Sequence, residues 1–235
     1  MCIDNSKLSI IHHKYVPSST SSIWVVDTKE NSGFLWEKRA ILSKHELVRG
    51  SQFCFFQDKK NYINSHVALR ILIGSFLGQD PRQLDITFPR MRAPVFKNNG
   101  KFISLSISRS NGVAAIAICV DRKIGVDLEK IVTLDMQSDI VKSLGSETEN
   151  SIFTNLDRNS KEEGFWRWWV SKEACLKSIG SGFSYDPSSI GNNFLLNRQT
   201  INKTSDYNSI YLEIEPLHIS SEKYFLSSAI TDGGG

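Results

Sequence analysis

The sequence predicts an α+β fold made of two similar halves, and three observations support this prediction. In each half, a long segment with the apolar spacing of a helix is followed by several short apolar strands. Segments 65–74 and 171–180 share Ser, Ala and Ile-Gly at matched positions, which indicates a weak internal repeat. The 235 residues suffice for one large domain or two small ones. We therefore expect α+β halves at residues 1–115 and 116–235, packed face to face with a site at the seam.

The first half begins with a predicted strand at 21–28, followed by two helices. The short helix at 43–49 has Ser43 as its cap and Glu46 at the capping-box position. The longer helix starts after Asp58 and ends at Gly78, with apolar residues recurring near helical spacing. Segments 101–108, 113–120 and 124–128 have the composition of strands and are separated by turn residues, which predicts a three-stranded meander.

The second half follows the same order of elements. Residues 134–156 contain helical segments, with Ser146 and Glu149 again at capping-box spacing. A helix at 162–179 contains three of the five tryptophans, which indicates that one of its sides anchors in a core. Strands are predicted at 189–196, 207–215 and 224–230, with a polar surface loop at 197–208.

Composition and charge argue against several classes of function. The 28 basic and 25 acidic residues leave a net charge of +3, which is too small to indicate nucleic-acid binding. The four cysteines have no CxxC spacing and no accompanying His cluster, so neither a zinc site nor a disulfide framework is expected. No apolar run approaches the roughly 20 residues of a membrane span, and no signal peptide is recognised. We expect a cytoplasmic protein that binds neither nucleic acid nor membrane.

Two carboxylates stand two residues apart in the stretch IGVDLEK, residues 124–130. Alternate side chains of a strand share a face, so Asp127 and Glu129 point one way while Val126 and Leu128 point to the apolar side. Neighbouring carboxylates raise each other's pKa unless a cation lies between them. Mg²⁺ typically takes one or two carboxylates together with water and phosphate oxygens. The stretch alone fits either a magnesium site or a strand end that turns into solvent and simply exposes its charges.

A charged pair continues the tryptophan side of the second long helix. Trp166, Trp169, Glu173 and Lys177 follow three-or-four spacing and therefore share a helix face. A surface ion pair is the alternative interpretation, and such a pair stabilises a helix by only a few tenths of a kcal/mol. Beside a buried aromatic face, however, a third carboxylate and a phosphate-binding lysine would explain why charges lie there.

A polar strand end precedes the acidic pair by one strand. Ser108, Arg109 and Ser110 offer hydroxyl groups, backbone N–H groups and a guanidinium that suit a phosphate, although a polar hairpin end has the same composition. Carboxylates for Mg²⁺, cations for phosphate oxygens and aromatic walls together indicate a phosphoryl-type transfer.

These residues resemble the signature motifs of the 4′-phosphopantetheinyl transferase superfamily. The family's strand motif G-[IV]-D-[IL]-E matches residues 125–129, and its helix motif W-x-x-K-E-[AS]-x-x-K-x-x-G-x-G matches residues 169–182. Residues 106–112 stand where the family has an S-x-S-H-S turn, and 58–70 are similar to its basic helix. The chain looks most like the monomeric Sfp type, whose two α+β halves are related by a pseudo-twofold axis. This resemblance places the metal site in the second half.

The resemblance implies a role for each matched residue. Asp127, Glu129 and Glu173 would bind Mg²⁺, and Glu173 would also act as general base. Lys177 would contact the diphosphate of coenzyme A and share in catalysis. Besides Lys177, the residues that would hold the coenzyme A phosphates are Arg49, Lys59, Lys60, Ser108 and Arg109, and Arg90 or Arg92 would substitute for a family lysine that contacts adenine.

The implied reaction transfers phosphopantetheine from coenzyme A to a serine of an acyl or peptidyl carrier protein in fatty-acid, polyketide or peptide synthesis. Three departures from the family pattern bear on coenzyme A binding: Arg109 replaces a histidine, Ala93 replaces a lysine and Asn61 replaces an arginine. The departures at Arg109 and Ala93 motivate the alternative of a catalytically silent paralogue that binds coenzyme A or a carrier. A different Mg²⁺-dependent phosphotransferase would be expected to show a P-loop or kinase motif, which the sequence lacks.

Overall fold

The computed structural model describes residues 5–15, 20–30, 32–89, 94–98, 101–180, 185–202 and 208–232. The elements before residue 121 are β1 (Ile10–Tyr15), β2 (Ser21–Asp27), α1 (Ser32–Glu37), α2 (Lys44–Ser51), α3 (Phe56–Leu77), β3 (Ile86–Thr87), β4 (Val95–Asn98), β5 (Lys101–Ser110) and β6 (Val113–Val120). The elements after it are β7 (Arg122–Lys130), α4 (Gln137–Leu144), α5 (Glu147–Thr154), α6 (Lys161–Ile179), β8 (Arg198–Ile201), β9 (Ile210–Ile219) and β10 (Glu222–Asp232).

The strands form two antiparallel sheets, which confirms the α+β fold class. The first sheet has six strands in the order β1-β2-β6-β5-β4-β3, and the second has four in the order β7-β10-β9-β8. Both long helices lie close to their expected bounds, and each ends at a glycine with positive φ, Gly78 after α3 and Gly180 after α6. The capping boxes expected at Ser43 and Ser146 are both present.

Each sheet packs on a long helix with one face and on the other sheet with its second face. Along β2, Trp24 and Val26 belong to the core under α3, whereas Ile23 and Val25 belong to the core between the sheets. β7 continues this arrangement, because Val126 lies in the same core between the sheets. We call this boundary between the two sheets the seam. The alternation of strand side chains thus supplies each sheet with two apolar faces.

Several parts of the strand prediction are wrong. The expected meander ends after β6, because β7 leaves the first sheet and pairs with β10. Segment 189–196 contains no strand, and its apolar residues Ile190 and Phe194 instead anchor a loop in the core beside α6. A short strand, β8, lies within the expected loop 197–208 and pairs with β9. The predictions also omit β1, β3 and β4.

The predicted boundary between residues 115 and 116 falls inside β6. All of β6 pairs with strands of the six-stranded sheet, on one side with β2 and on the other with β5. We therefore propose that the halves divide at Asp121, the turn residue between β6 and β7.

The internal repeat has a counterpart in the tertiary structure. Segments 65–74 and 171–180 lie in α3 and α6. Their second residues are His66 and Lys172, and each contacts the buried capping-box glutamate of a preceding short helix: His66 contacts Glu46, and Lys172 contacts Glu149. The shared Ser, Ala and Ile-Gly positions therefore belong to two equivalent packing arrangements.

Candidate active site

The site forms where β7 meets α6. Val126 and Leu128 point into the seam, so the alternating residues Asp127 and Glu129 face the opposite way, towards α6. Gly125 allows the helix to come close, because a Cβ at this position would lie 2.1 Å from the carbonyl oxygen of Ala174. The glycine of the strand motif therefore determines how near the helix side chains stand to the carboxylates.

A row of serines from the other sheet borders the same strand. β5 has a serine at every second position from Ser104 to Ser110, and these four residues form what we call the serine row. Ser104 and Ser106 accept hydrogen bonds from the β7 backbone N–H groups of Ile124 and Val126, at 3.1 and 3.0 Å. The row thus satisfies backbone donors on the side of β7 that does not pair with β10.

Asp127 is buried and has two partners on one of its oxygens. Ser108 Oγ donates a hydrogen bond to Asp127 Oδ1 at 2.7 Å, and Lys177 Nζ contacts the same oxygen at 2.7 Å. Among the described atoms, Asp127 Oδ2 is buried without a hydrogen-bond partner. A buried carboxylate oxygen without a partner is unfavourable, so this atom indicates a missing donor or cation.

Glu129 is half-buried beside Asp127 and has an unusually high pKa. Burial and the neighbouring charge of Asp127 raise the pKa of Glu129 to about 7, although a hydrogen bond from Ser110 and the charge of Lys177 oppose the increase. Ser110 Oγ donates that hydrogen bond to Glu129 Oε2 at 2.8 Å. A second carboxylate in this environment would be stabilised by a nearby cation.

Glu173 lies one helical turn before Lys177 on α6. Burial raises its pKa, and the charges of Lys177 and Asp127 act on it in opposite directions. Within the described residues, no three His, Cys, Asp or Glu side chains are grouped closely enough to hold a metal ion. Asp127 and Glu129 nevertheless fit one divalent cation, since they offer hard oxygen donors and one of those oxygens is buried without a partner.

The described residues expected to bind coenzyme A lie in four places. Arg109 lies with its guanidinium over the Tyr62 ring, 5.2 Å from the centroid, at a cavity of about 250 Å³. Arg49 borders a separate cavity of about 460 Å³. Lys59 and Lys60 are half-buried near the start of α3 and border neither cavity, and Arg92 lies outside the described residues. Of the described members of this set, only Ser108 and Lys177 have a hydrogen bond to the carboxylate pair.

The motif lysine Lys172 is a structural residue that the sequence interpretation left without a role. It is buried, and its ammonium contacts Glu149 Oε2 at 2.7 Å and the carbonyl oxygens of Pro187 and Ile190. These contacts tie α6 to the start of α5 and to the loop that follows α6. The repeat aligns Lys172 with His66, but only the structure shows the contact of His66 with Glu46, so the sequence carried no signal for this role.

The tryptophans support α6 as the sequence indicates. Trp168 is fully buried, and Trp166 donates a hydrogen bond from Nε1 to the carbonyl oxygen of Val132 at 2.8 Å. Trp169 is half-buried on the face that continues to Glu173. The aromatic groups therefore hold the helix that presents Glu173 and Lys177.

The chain was compared with known proteins. Residues 123–228 match the family model of the 4′-phosphopantetheinyl transferase superfamily. The 4′-phosphopantetheinyl transferase HetI of Nostoc sp. (strain PCC 7120 / SAG 25.82 / UTEX 2576) is 27% identical over 188 residues, covering 74% of this chain and 78% of the relative. The putative 4′-phosphopantetheinyl transferase slr0495 of Synechocystis sp. (strain ATCC 27184 / PCC 6803 / Kazusa) is 26% identical over 196 residues, covering 81% and 80%.

Among the described residues, no helix is both long enough and apolar enough to cross a membrane. The matched segment begins within β7 and ends within β10, so it contains the carboxylate strand and all of α6. In its fold, its motifs and these matches, the chain is similar to members of the 4′-phosphopantetheinyl transferase superfamily.

Proposed function

We propose that this transferase moves the 4′-phosphopantetheine group from coenzyme A to a serine hydroxyl of an acyl or peptidyl carrier protein. The observation that carries the proposal is the contact between the two family motifs: Lys177 of the helix motif meets Asp127 of the strand motif at 2.7 Å. The names of both relatives support the same activity. We further propose a monomer of the Sfp type that works in the cytoplasm.

Asp127 and Glu129 are the proposed ligands of Mg²⁺ in the conformation described, and Glu173 is proposed as a third ligand that would move towards the cation when it binds. The unpartnered Asp127 Oδ2 and the raised pKa values of Glu129 and Glu173 support a cation among these groups. When bound, Mg²⁺ would neutralise the diphosphate of coenzyme A and stabilise charge on the leaving group. The protein's part is to hold hard oxygen donors at one end of β7 and beside α6.

The transfer breaks one P–O bond of the diphosphate and forms another. The carrier serine oxygen attacks the phosphorus that carries the pantetheine arm, and adenosine 3′,5′-bisphosphate leaves. Glu173 accepts the hydroxyl proton, a role that its raised pKa favours. Lys177 stabilises the diphosphate oxygens, because an ammonium in a half-buried site interacts strongly with developing negative charge.

Coenzyme A is proposed to extend from this site towards the first half. Arg109 is proposed to bind phosphate oxygens, since it lies within the serine row beside a cavity. Ser108 would hold Asp127 through its hydrogen bond and would also contact phosphate oxygens of coenzyme A. Further phosphate contacts are proposed for Arg49, Lys59 and Lys60, and a contact with the adenine of coenzyme A is proposed for Arg92.

The carrier is proposed to dock near the segment that follows β7. Val132, Leu134 and Met136 are exposed apolar side chains within a few residues of Glu129. Such side chains can contact a helix of the carrier while basic residues steer its acidic surface.

Mass spectrometry of a carrier tests the proposal. After incubation with coenzyme A and Mg²⁺, we expect an apo carrier to gain one phosphopantetheine group, and a carrier without its acceptor serine to gain none. Asp127→Ala should abolish the gain while the protein stays folded, whereas Glu222→Gln, which alters a surface carboxylate, should retain it. No gain with several unrelated carriers, despite coenzyme A binding, would instead identify a silent binding protein.

A further inference from the structure

The serine row divides into two kinds of contact. Its first two members accept hydrogen bonds from backbone N–H groups of β7. Its last two, Ser108 and Ser110, donate hydrogen bonds to Asp127 and Glu129. Within one strand, the first two serines therefore have a structural role, and the last two contact the proposed metal ligands.

Ser110 has the more fully determined geometry of these two. The backbone N–H of Lys130 donates to Ser110 Oγ at 3.0 Å, which occupies the hydroxyl as an acceptor. The hydroxyl's single proton is then directed to Glu129 Oε2 at 2.8 Å. Since the donor and the acceptor on Ser110 both belong to β7, the glutamate is fixed relative to its own strand.

Glu129 benefits from such a contact more than Asp127 does. Its side chain is longer and only half-buried, so it has more rotamer freedom to lose when it binds a cation. Asp127 is already held by Lys177 as well as by Ser108. The hydrogen bond from Ser110 engages one oxygen of Glu129 and leaves Oε1 outside that bond.

We propose that Ser110 is a positioning residue, which orients Glu129 so that the carboxylate can bind the divalent cation. This proposal rests on the metal site of the proposed function. It also links the halves: Ser110 belongs to the six-stranded sheet and Glu129 to the four-stranded sheet. Metal affinity therefore depends on a hydrogen bond across the seam. Partners that orient metal ligands typically change metal affinity or activity 10- to 100-fold when they are removed.

The test compares three variants. Ser110→Ala removes the hydrogen bond to Glu129, and Ser110→Thr retains a hydroxyl. Ser104→Ala is the matched control, because Ser104 also accepts a β7 backbone N–H but its recorded hydrogen bond involves no carboxylate. Binding of Mn²⁺ is measured by titration calorimetry with and without coenzyme A, and carrier modification is measured over a range of Mg²⁺ concentrations.

For Ser110→Ala, we expect Mn²⁺ binding to weaken about 10-fold and the Mg²⁺ concentration for half-maximal rate to rise by a similar factor. The rate at saturating Mg²⁺ should change less than about threefold, on the order of 0.6 kcal/mol. Ser110→Thr should restore metal affinity, and Ser104→Ala should leave it unchanged even if it lowers stability.

Two results would overturn the role of Ser110: unchanged metal affinity in Ser110→Ala, or an equal loss in Ser104→Ala. Failure of the proposed function gives a different pattern. If the unsubstituted protein binds Mn²⁺ through Glu129 but modifies no carrier, then the transferase proposal fails while the positioning role stands. If the unsubstituted protein binds no metal under either condition, then both the positioning role and the metal site fail.

Discussion

At the scale of single residues, the partners of a charged side chain determine its role. Lys172 and Lys177 lie five positions apart in the same motif, yet their surroundings differ. Lys172 is buried against Glu149 and two carbonyl oxygens, so it holds structure. Lys177 is partly exposed and contacts Asp127 at the proposed metal site. The residue types alone could not distinguish a structural lysine from one that meets substrate.

Lys177→Met tests how far the ammonium compensates the charge of Asp127. Without metal, we expect the variant to lose about 1–3 kcal/mol of stability, because a buried carboxylate loses its cation. Urea unfolding in the presence of a chelator measures the loss. Lys130→Met is the control, since Lys130 pairs with the exposed Glu222 and should cost less than about 1 kcal/mol. Equal stabilities of the two variants would show that Lys177 does not stabilise Asp127.

At the scale of elements, the contact between α6 and β7 determines the geometry of the site. Gly125 has no side chain to separate the helix from the strand, and the Cβ of an alanine would collide with the α6 backbone. The same helix is anchored at its tryptophans and at the Lys172–Glu149 pair. Several contacts therefore fix the position of α6 near the two catalytic candidates, Glu173 and Lys177.

Gly125→Ala should displace α6 from β7. We expect a loss of about 1–3 kcal/mol in stability, typical of overpacking, together with a large loss of carrier modification. Thermal unfolding and the mass-gain assay measure these effects. Gly33→Ala is the matched control, because no atom lies within 4 Å of its added Cβ, and it should be neutral or slightly stabilising. An active, fully stable Gly125→Ala protein would contradict the close-contact argument.

At the scale of the whole molecule, each half contains a buried capping-box glutamate that ties a short helix to a long one. In the first half this glutamate is Glu46, which contacts both Arg70 and His66 of α3. Burial would raise the pKa of Glu46, but hydrogen bonds from His66, Arg70 and Ser43 outweigh it and lower the pKa to about 2. Burial also lowers the pKa of His66 to about 4, despite its contact with Glu46.

These pKa values predict acid sensitivity of the fold. His66 ordinarily titrates near 6.5, so the unfolded chain binds its proton first and stability falls between about pH 6.5 and 4. The contribution of Glu46 is lost at lower pH, between about 4.5 and 2. In His66→Gln, we expect the decrease in stability between about pH 6.5 and 4 to be smaller by up to about 3 kcal/mol. Urea unfolding at several pH values across this window measures the difference.

The exposed His45 provides the control for that measurement. His45→Gln should retain the decrease in stability between pH 6.5 and 4. If His66→Gln retained the same decrease, the acid sensitivity would have to come from other groups.

The sequence by itself determined the local features of this protein. Helical spacing located α3 and α6, Ser-x-x-Glu spacing located two helix starts, and strand alternation placed Asp127 and Glu129 on one face. These features depend on residues close in the chain, which is why patterns reveal them. The family motifs could be recognised for the same reason, since each lies within one element.

Only the tertiary structure decided which distant elements meet. An apolar strand can pair with any suitable neighbour, so sequence could not show that β7 leaves β6 for β10. For the same reason, the serine row had no recognisable purpose until β5 came to lie beside β7. Charged side chains that are far apart in the chain meet their partners only through this packing. Their pKa values and roles therefore depend on the tertiary structure.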